Sequence, residues 1–165
     1  MYLLVEVIVG PAAGLLGRIA ALLGDMTPAM NRIGLFLVSS IQENFELGHS
    51  PDGQRWKPSR RAVLQGGQTL VDTGALMNGI VHEATADQVT VGPSGPSLKY
   101  ARIHQEGGEI RPKSAKALFF RGADGQARTV QVVRIPARPY LGMSAEDWNT
   151  IGNVLVEYLG VAAHG

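Results

Sequence analysis

The side chains able to do chemistry in this sequence are few, and their spacing limits what they can do. His104, Glu106 and Glu109 place an imidazole and two carboxylates close together, and both are ligand types for a metal ion. A metal centre needs several well-spaced ligands, whereas this trio straddles a short segment that stops at Gly107-Gly108. A hydrogen bond from His104 in or near the core accounts for it better, and no metal or other cofactor is expected. His49, His82 and His164 are scattered, and His82-Glu83 lacks the second histidine of a zinc-protease helix. There is no Gly-x-Ser-x-Gly and no Gly-rich loop ending in Lys-Ser/Thr. Gly92-Pro-Ser-Gly-Pro96 has the glycines, but its prolines remove the backbone donors that would cradle phosphate. Carboxylates that meet only in space leave no spacing to read. The expectation is a protein that is not an enzyme.

The run Arg55-Trp56-Lys57-Pro58-Ser59-Arg60-Arg61 combines four cations with one aromatic. Three readings stay open. The cations could track a phosphate backbone while Trp56 stacks on a base. The run could be an arm that docks on a neighbouring subunit with Trp56 as its anchor, since aromatics and arginines are typical hot spots. Or it is a solvated loop whose Trp56 folds back onto the core. Further on, Arg134 and Arg138 alternate with Pro136 and Pro139, which fix φ and disfavour helix in the residues before them. That makes a stiff approach to whatever follows.

These groups need elements to position them. A chain of 165 residues with 45% apolar content suits one domain, 1–165, able to bury about two thirds of its unfolded surface. A net charge of +1 supplies no bulk attraction to nucleic acid or to an anionic membrane. Without cysteine there are no disulfides, thiolate nucleophiles or cysteine metal sites. Residues 1–24 are mostly apolar, but the first charge is Glu6, and Gly10-Pro11 and Arg18 break the run. That suits neither a signal peptide nor a membrane span. A strand over Tyr2–Val9 and a short helix from Pro11 to about Leu23 are expected instead.

Thr27-Pro28 reads as a hydroxyl cap with proline in the first turn, and Met30, Ile33, Leu37, Ile41 and Phe45 form one apolar stripe up to Gly48. Residues 48–70 lose all periodicity, which in a compact domain marks a functional loop or one ordered on assembly. Asp72–Met77 reads as a short capped helix, Val81–Ala84 and Gln88–Val91 as paired strands, and Tyr100–Gln105 as a short helix. Ala117–Phe120 and Thr129–Ile135 read as a second hairpin. Ser144 caps a last helix whose stripe is Trp148, Ile151, Leu155, Tyr158 and Leu159. The expected class is α+β: a small, mostly antiparallel sheet packed by N-terminal and C-terminal amphipathic helices, with long irregular loops.

The order of these pieces carries a resemblance. Asn44-Phe45 leads to Ser50-Pro-Asp-Gly-Gln-Arg-Trp-Lys-Pro58. There follow Leu70-Val-Asp-Thr-Gly-Ala-Leu76, Val89-Thr-Val-Gly92, Tyr100-Ala-Arg-Ile-His-Gln105, Gly107-Gly108 and Pro136-Ala-Arg-Pro-Tyr-Leu-Gly-Met-Ser144. From about 27 to 159 the chain resembles the phage virion-morphogenesis family, the tail-completion proteins of Mu-like and P2-like contractile-tailed phages and prophages. Glu106 departs from the family pattern, which has an aromatic after His-Gln. The resemblance implies a structural protein, without a cofactor, that forms a ring of its own copies, often a hexamer, at the head-proximal end of the tail. Its partners would be itself, the tail tube and the head-connector proteins. DNA contact is secondary and a membrane plays no part. It would be found in the bacterial host cytoplasm during assembly and then in the virion. On this reading the candidate interface residues are Arg55, Trp56, Lys57, Arg60, Arg61, Tyr100, His104 and Arg138.

Overall fold

A computed structural model describes residues 23–164 together with Gly17, Ala20 and Ala21, and for 161–164 the backbone alone. The expected strand over Tyr2–Val9 and most of the expected helix from Pro11 lie outside the described residues.

The first labelled helix, α1, is Thr27–Leu47. Its stripe is buried as the spacing requires: Ile33, Leu37, Ile41 and Phe45 are all under one tenth exposed. The cap differs from expectation: the N-cap is Met26, whose side chain makes no capping bond. The Thr27 N–H donates to the Asp25 carboxylate at 3.0 Å, so the aspartate two residues earlier does the work assigned to the Thr27 hydroxyl. Gly48, with φ of +70°, ends the helix by donating to the Asn44 carbonyl. Then come α2 (Arg60–Gln65) and α3 (Ala75–Asn78), with strands β1 (Ile80–Ala84) and β2 (Val89–Pro93) after them. A 3-10 turn at Gly95–Ser97 runs into α4 (Leu98–Glu106). The remaining elements are β3 (Gly108–Ile110), β4 (Leu118–Arg121), β5 (Ala127–Val130), β6 (Val133–Ile135) and α5 (Ala145–His164).

The class is α+β, but the strands form three separate antiparallel ribbons, β1–β2, β3–β6 and β4–β5. The stretch read as one strand, Thr129–Ile135, is divided. Its first part pairs with β4 (Leu118 opposite Val130), while β6 turns away to pair with β3 (Gly108 opposite Ile135). Helix α1 lies across the β1–β2 ribbon, and the approach is tight at Gly34, where a Cβ would stand 2.3 Å from the His82 ring.

The core joins Ile41, Phe45, Trp56, Leu76, Ile80, Ala101 and Tyr140. Phe45 is its hub, edge-on to Trp56 at 5.9 Å and tilted against Tyr140 at 4.9 Å. Helix α5 starts as expected, with the Ser144 hydroxyl accepting from the Asp147 N–H at 3.0 Å and Asp147 accepting from the Ser144 N–H at 2.7 Å. Asp147 also accepts from Ser40 on α1 at 2.8 Å, which fixes the two helices at that end. Trp148, expected in the buried stripe, is 58% exposed. Among the described residues no helix is long and apolar enough to cross a membrane.

Candidate functional site

The segment after α1 is an ordered turn. Ser50 donates to the Gln54 carbonyl, and Trp56 donates through its backbone to Gly48 at 2.8 Å. Backbone alternation then buries Trp56 and leaves Arg55 and Lys57 exposed on either side. The indole is 7% exposed, and its N–H donates to the Pro139 carbonyl at 3.0 Å. Of the three readings of Trp56, the ring folded back onto the core is the one seen.

The cations of this run divide. Arg61 is turned inward and donates to the carbonyls of Gln68 and Val71, with Asp72 at 3.5 Å. It clasps the loop that returns from α2. Arg60 is exposed and pairs with Asp124 at the tip of the β4–β5 ribbon, at 3.3 Å. Asp124 also accepts from Arg128, and together with the Gln126 N–H these contacts hold its carboxyl below the usual range.

The stretch 136–141 is a strap laid over the core. Gln105 holds it from α4: its Oε1 accepts from the N–H of Tyr140 at 2.9 Å and of Leu141 at 3.0 Å, and its Nε2 donates to the Leu141 carbonyl. Asn44 donates to the Tyr140 carbonyl from α1. Gly107, with φ of +72°, lets the chain pass so close to Ala137 that a Cβ would lie 2.7 Å from its nitrogen. The Arg138 N–H meets the His104 carbonyl at 2.8 Å. Tyr140 is fully buried with its hydroxyl donating to Ala101, and burial pushes its phenol up to about 12.

Arg138 is 6% exposed. Its Nε donates to the Lys57 carbonyl at 3.0 Å, and it forms no ion pair with any described residue. His104 lies beside it, edge-on to Tyr100 at 5.9 Å, with a buried Nδ1 that has no partner among the described residues. Burial first, and the Arg138 charge second, lower the imidazole's pKa below its ordinary value. His104 and Arg138 form a wall shared by two clefts. One, of about 430 Å³, is also lined by Arg61, Asp72 and Tyr100. The other, of about 770 Å³, is lined by Lys57, Arg60, Phe120, Arg128 and Arg134.

Six of the eight candidate residues thus meet at these clefts, while Arg55 and Trp56 line a separate hollow against Phe45. The trio His104, Glu106 and Glu109 is split. Glu106 pairs with Arg102, and Glu109 with both Arg111 and Arg134. No three His, Cys, Asp or Glu side chains converge among the described residues. Sequence reading placed Gln105 only within a motif, missed Phe120 and Arg128, and singled out Arg134 only as part of the stiff segment with Pro136 and Pro139. Phe120, Arg128 and Arg134 enter the cleft only through the way β5 and β6 divide, which no spacing announced.

Comparison with known proteins adds two findings. A model of the phage virion morphogenesis family matches residues 10–160. The protein described as "Mu-like prophage FluMu G protein 2" of Haemophilus influenzae is 33% identical over 132 residues, which cover 80% of this chain and 77% of that one. No solved structure matches the chain significantly.

Proposed function

The chain belongs to the phage virion morphogenesis family, and from that premise we propose that it is a non-enzymatic assembly protein that completes the tail and helps join it to the head. It acts as a ring of copies at the head-proximal end of the tail, contacting tail-tube and head-connector proteins. It works in the host cytoplasm during assembly and then stays in the virion. The observation that carries this reading is the β4–β5 ribbon. Among the described residues its strands pair only with each other, Phe119 is 76% exposed, and the tip is tied to the body by Arg60–Asp124 and by Gln65 donating to Ala123. A lone two-stranded ribbon is marginal in water, and its open edges are templates for another chain. A ring needs such heterologous contacts on every copy.

The remaining polar groups of the site support the same reading, because they are spent on architecture. Gln105, Asn44, Arg61 and Trp56 each hold backbone. The second reading, a nucleic-acid contact, loses Trp56 as a stacking platform and Arg61 as a free cation. It would rest on Arg55, Lys57, Arg60, Arg128 and Arg134 instead.

Electron microscopy of an induced lysate with the gene inactivated tests the proposal. Filled heads beside detached tails are the expected result. Joined, infectious particles would overturn it.

A further inference from the structure

Two clefts of opposite sign lie on this chain and share no lining residue. The first is the 770 Å³ cleft, whose walls carry Lys57, Arg60, Arg128, Arg134 and Arg138 beside His104 and, among the described residues, no carboxylate. Arg138 is its innermost cation. It is almost wholly buried, donates once through Nε to Lys57, and leaves both terminal nitrogens without a partner among the described residues. Those nitrogens open onto the cleft, where an entering anion can take charge-assisted hydrogen bonds from them. The orphan Nδ1 of His104 next to it is a second polar group without a partner, and in the matching tautomer it donates to the same visitor. The other cleft, of about 480 Å³, opens between α1 and the start of α5. Glu43, Glu146 and Asp147 line it with His49, and among the described residues neither Lys nor Arg does. Asp147 is buried and committed to Ser144 and Ser40. Glu43 and Glu146 are exposed and form no ion pair with any described residue.

We infer that copies of this chain associate head to tail, with the Glu43 and Glu146 carboxylates of one copy entering the Arg138 cleft of the next. The inference rests on the assembly reading above and names the contact that reading needs. A net charge of +1 suits self-association, because the attraction comes from facing patches while whole molecules scarcely repel. A carboxylate fits better than a phosphate backbone. Arg60 and Arg128 are already engaged by Asp124, and Arg134 by Glu109, so a polyanion would find only Lys57 free beside the recessed Arg138. The contact is heterologous, and each copy keeps one donor face and one acceptor cleft open until a ring closes.

Sedimentation velocity on the full chain at low and high salt tests this, using wild type, Arg138→Gln and the pair Glu43→Gln/Glu146→Gln. Wild type should form oligomers that salt weakens. Each variant should associate about thirtyfold more weakly, as expected for removing one partner of a buried charge pair. Mixing the two variants should give one-to-one dimers and nothing longer, since each retains the half that the other lacks. A monomeric wild type, variants that associate like wild type, or a mixture without dimers would each overturn the inference. So would an oligonucleotide, followed by fluorescence anisotropy, whose binding is lost in Arg138→Gln while self-association persists; that would assign the cleft to nucleic acid. If Arg138→Gln fails to fold by circular dichroism, the glutamine pair decides: its side chains replace carboxylates that form no ion pair or hydrogen bond with any described residue, so adding it should shorten wild-type oligomers, and oligomers of unchanged length would overturn the inference. Detached tails in the gene-inactivated lysate alongside unaffected variants would sink this contact and leave the assembly function standing.

Discussion

Trp56 ties the turn after α1 to the strap before α5, through packing on Phe45 and a hydrogen bond to Pro139. Its replacement by alanine should therefore destabilise the isolated protein by about 3–5 kcal/mol, read from the denaturant midpoint. An unchanged midpoint would mean the indole is not where it is described. Two titrations belong at this scale. The His104 imidazole is lowered by burial and by Arg138, so below its ordinary value of 6.5 the unfolded chain takes up the proton first. Its contribution to stability is present above that pH and lost as pH falls toward the lowered folded value. His104→Gln should flatten this part of the stability–pH curve, which urea melts at a series of pH values would show. Tyr140, pushed up to about 12, should be missing from the ordinary phenol transition in an ultraviolet titration and appear only near that value. Sequence left Trp56 open among three settings and did not show that of Arg138. Trp56 sits among prolines, glycines and cations with no periodicity to place it, and Arg138 owes its burial to Lys57, 81 positions away.

Periodic elements were the legible ones. Helix α1, the β1–β2 ribbon and α4 lie where their spacing and turn residues place them, and α5 starts at its Ser144 cap. The β3–β6 ribbon did not show, because three residues a side are too few for a period-two signal. The cap of α1 was misplaced because Asp25 and Thr27 both suit the role and only the fold chooses. Gly34 gives an element-scale test. Alanine there must displace the His82 ring or part α1 from β1, so Gly34→Ala should cost about 1–3 kcal/mol despite its better helix propensity. A raised melting temperature would contradict the tight approach.

At the scale of the molecule, stability and assembly are carried by different surfaces. The core lies between α1, Trp56, Leu76 and the strap, while the β4–β5 ribbon hangs from it by an ion pair and an amide. Phe119→Ser should leave the unfolding free energy within about 0.5 kcal/mol of wild type, as for most exposed substitutions, yet reduce the yield of joined particles in a complementation assay. Joined particles in normal number would remove the ribbon from the assembly surface.

The strap has a consequence for the order of events during synthesis. Its anchors lie far back in the chain: Trp56 reaches it across 83 positions, Asn44 across 96 and Gln105 across 35. While a ribosome is still adding residues short of Pro139, the indole has no acceptor, Phe45 has no Tyr140 to lean on, and the core has no lid. Helices α1 to α4 and the first ribbon can form early, but the interior seals only when 136–141 emerges. By then the cationic cleft, which Arg138 completes, is emerging too. Folding and readiness to assemble thus arrive in one step, so a nascent chain presents its docking cleft only once it has an interior to support it.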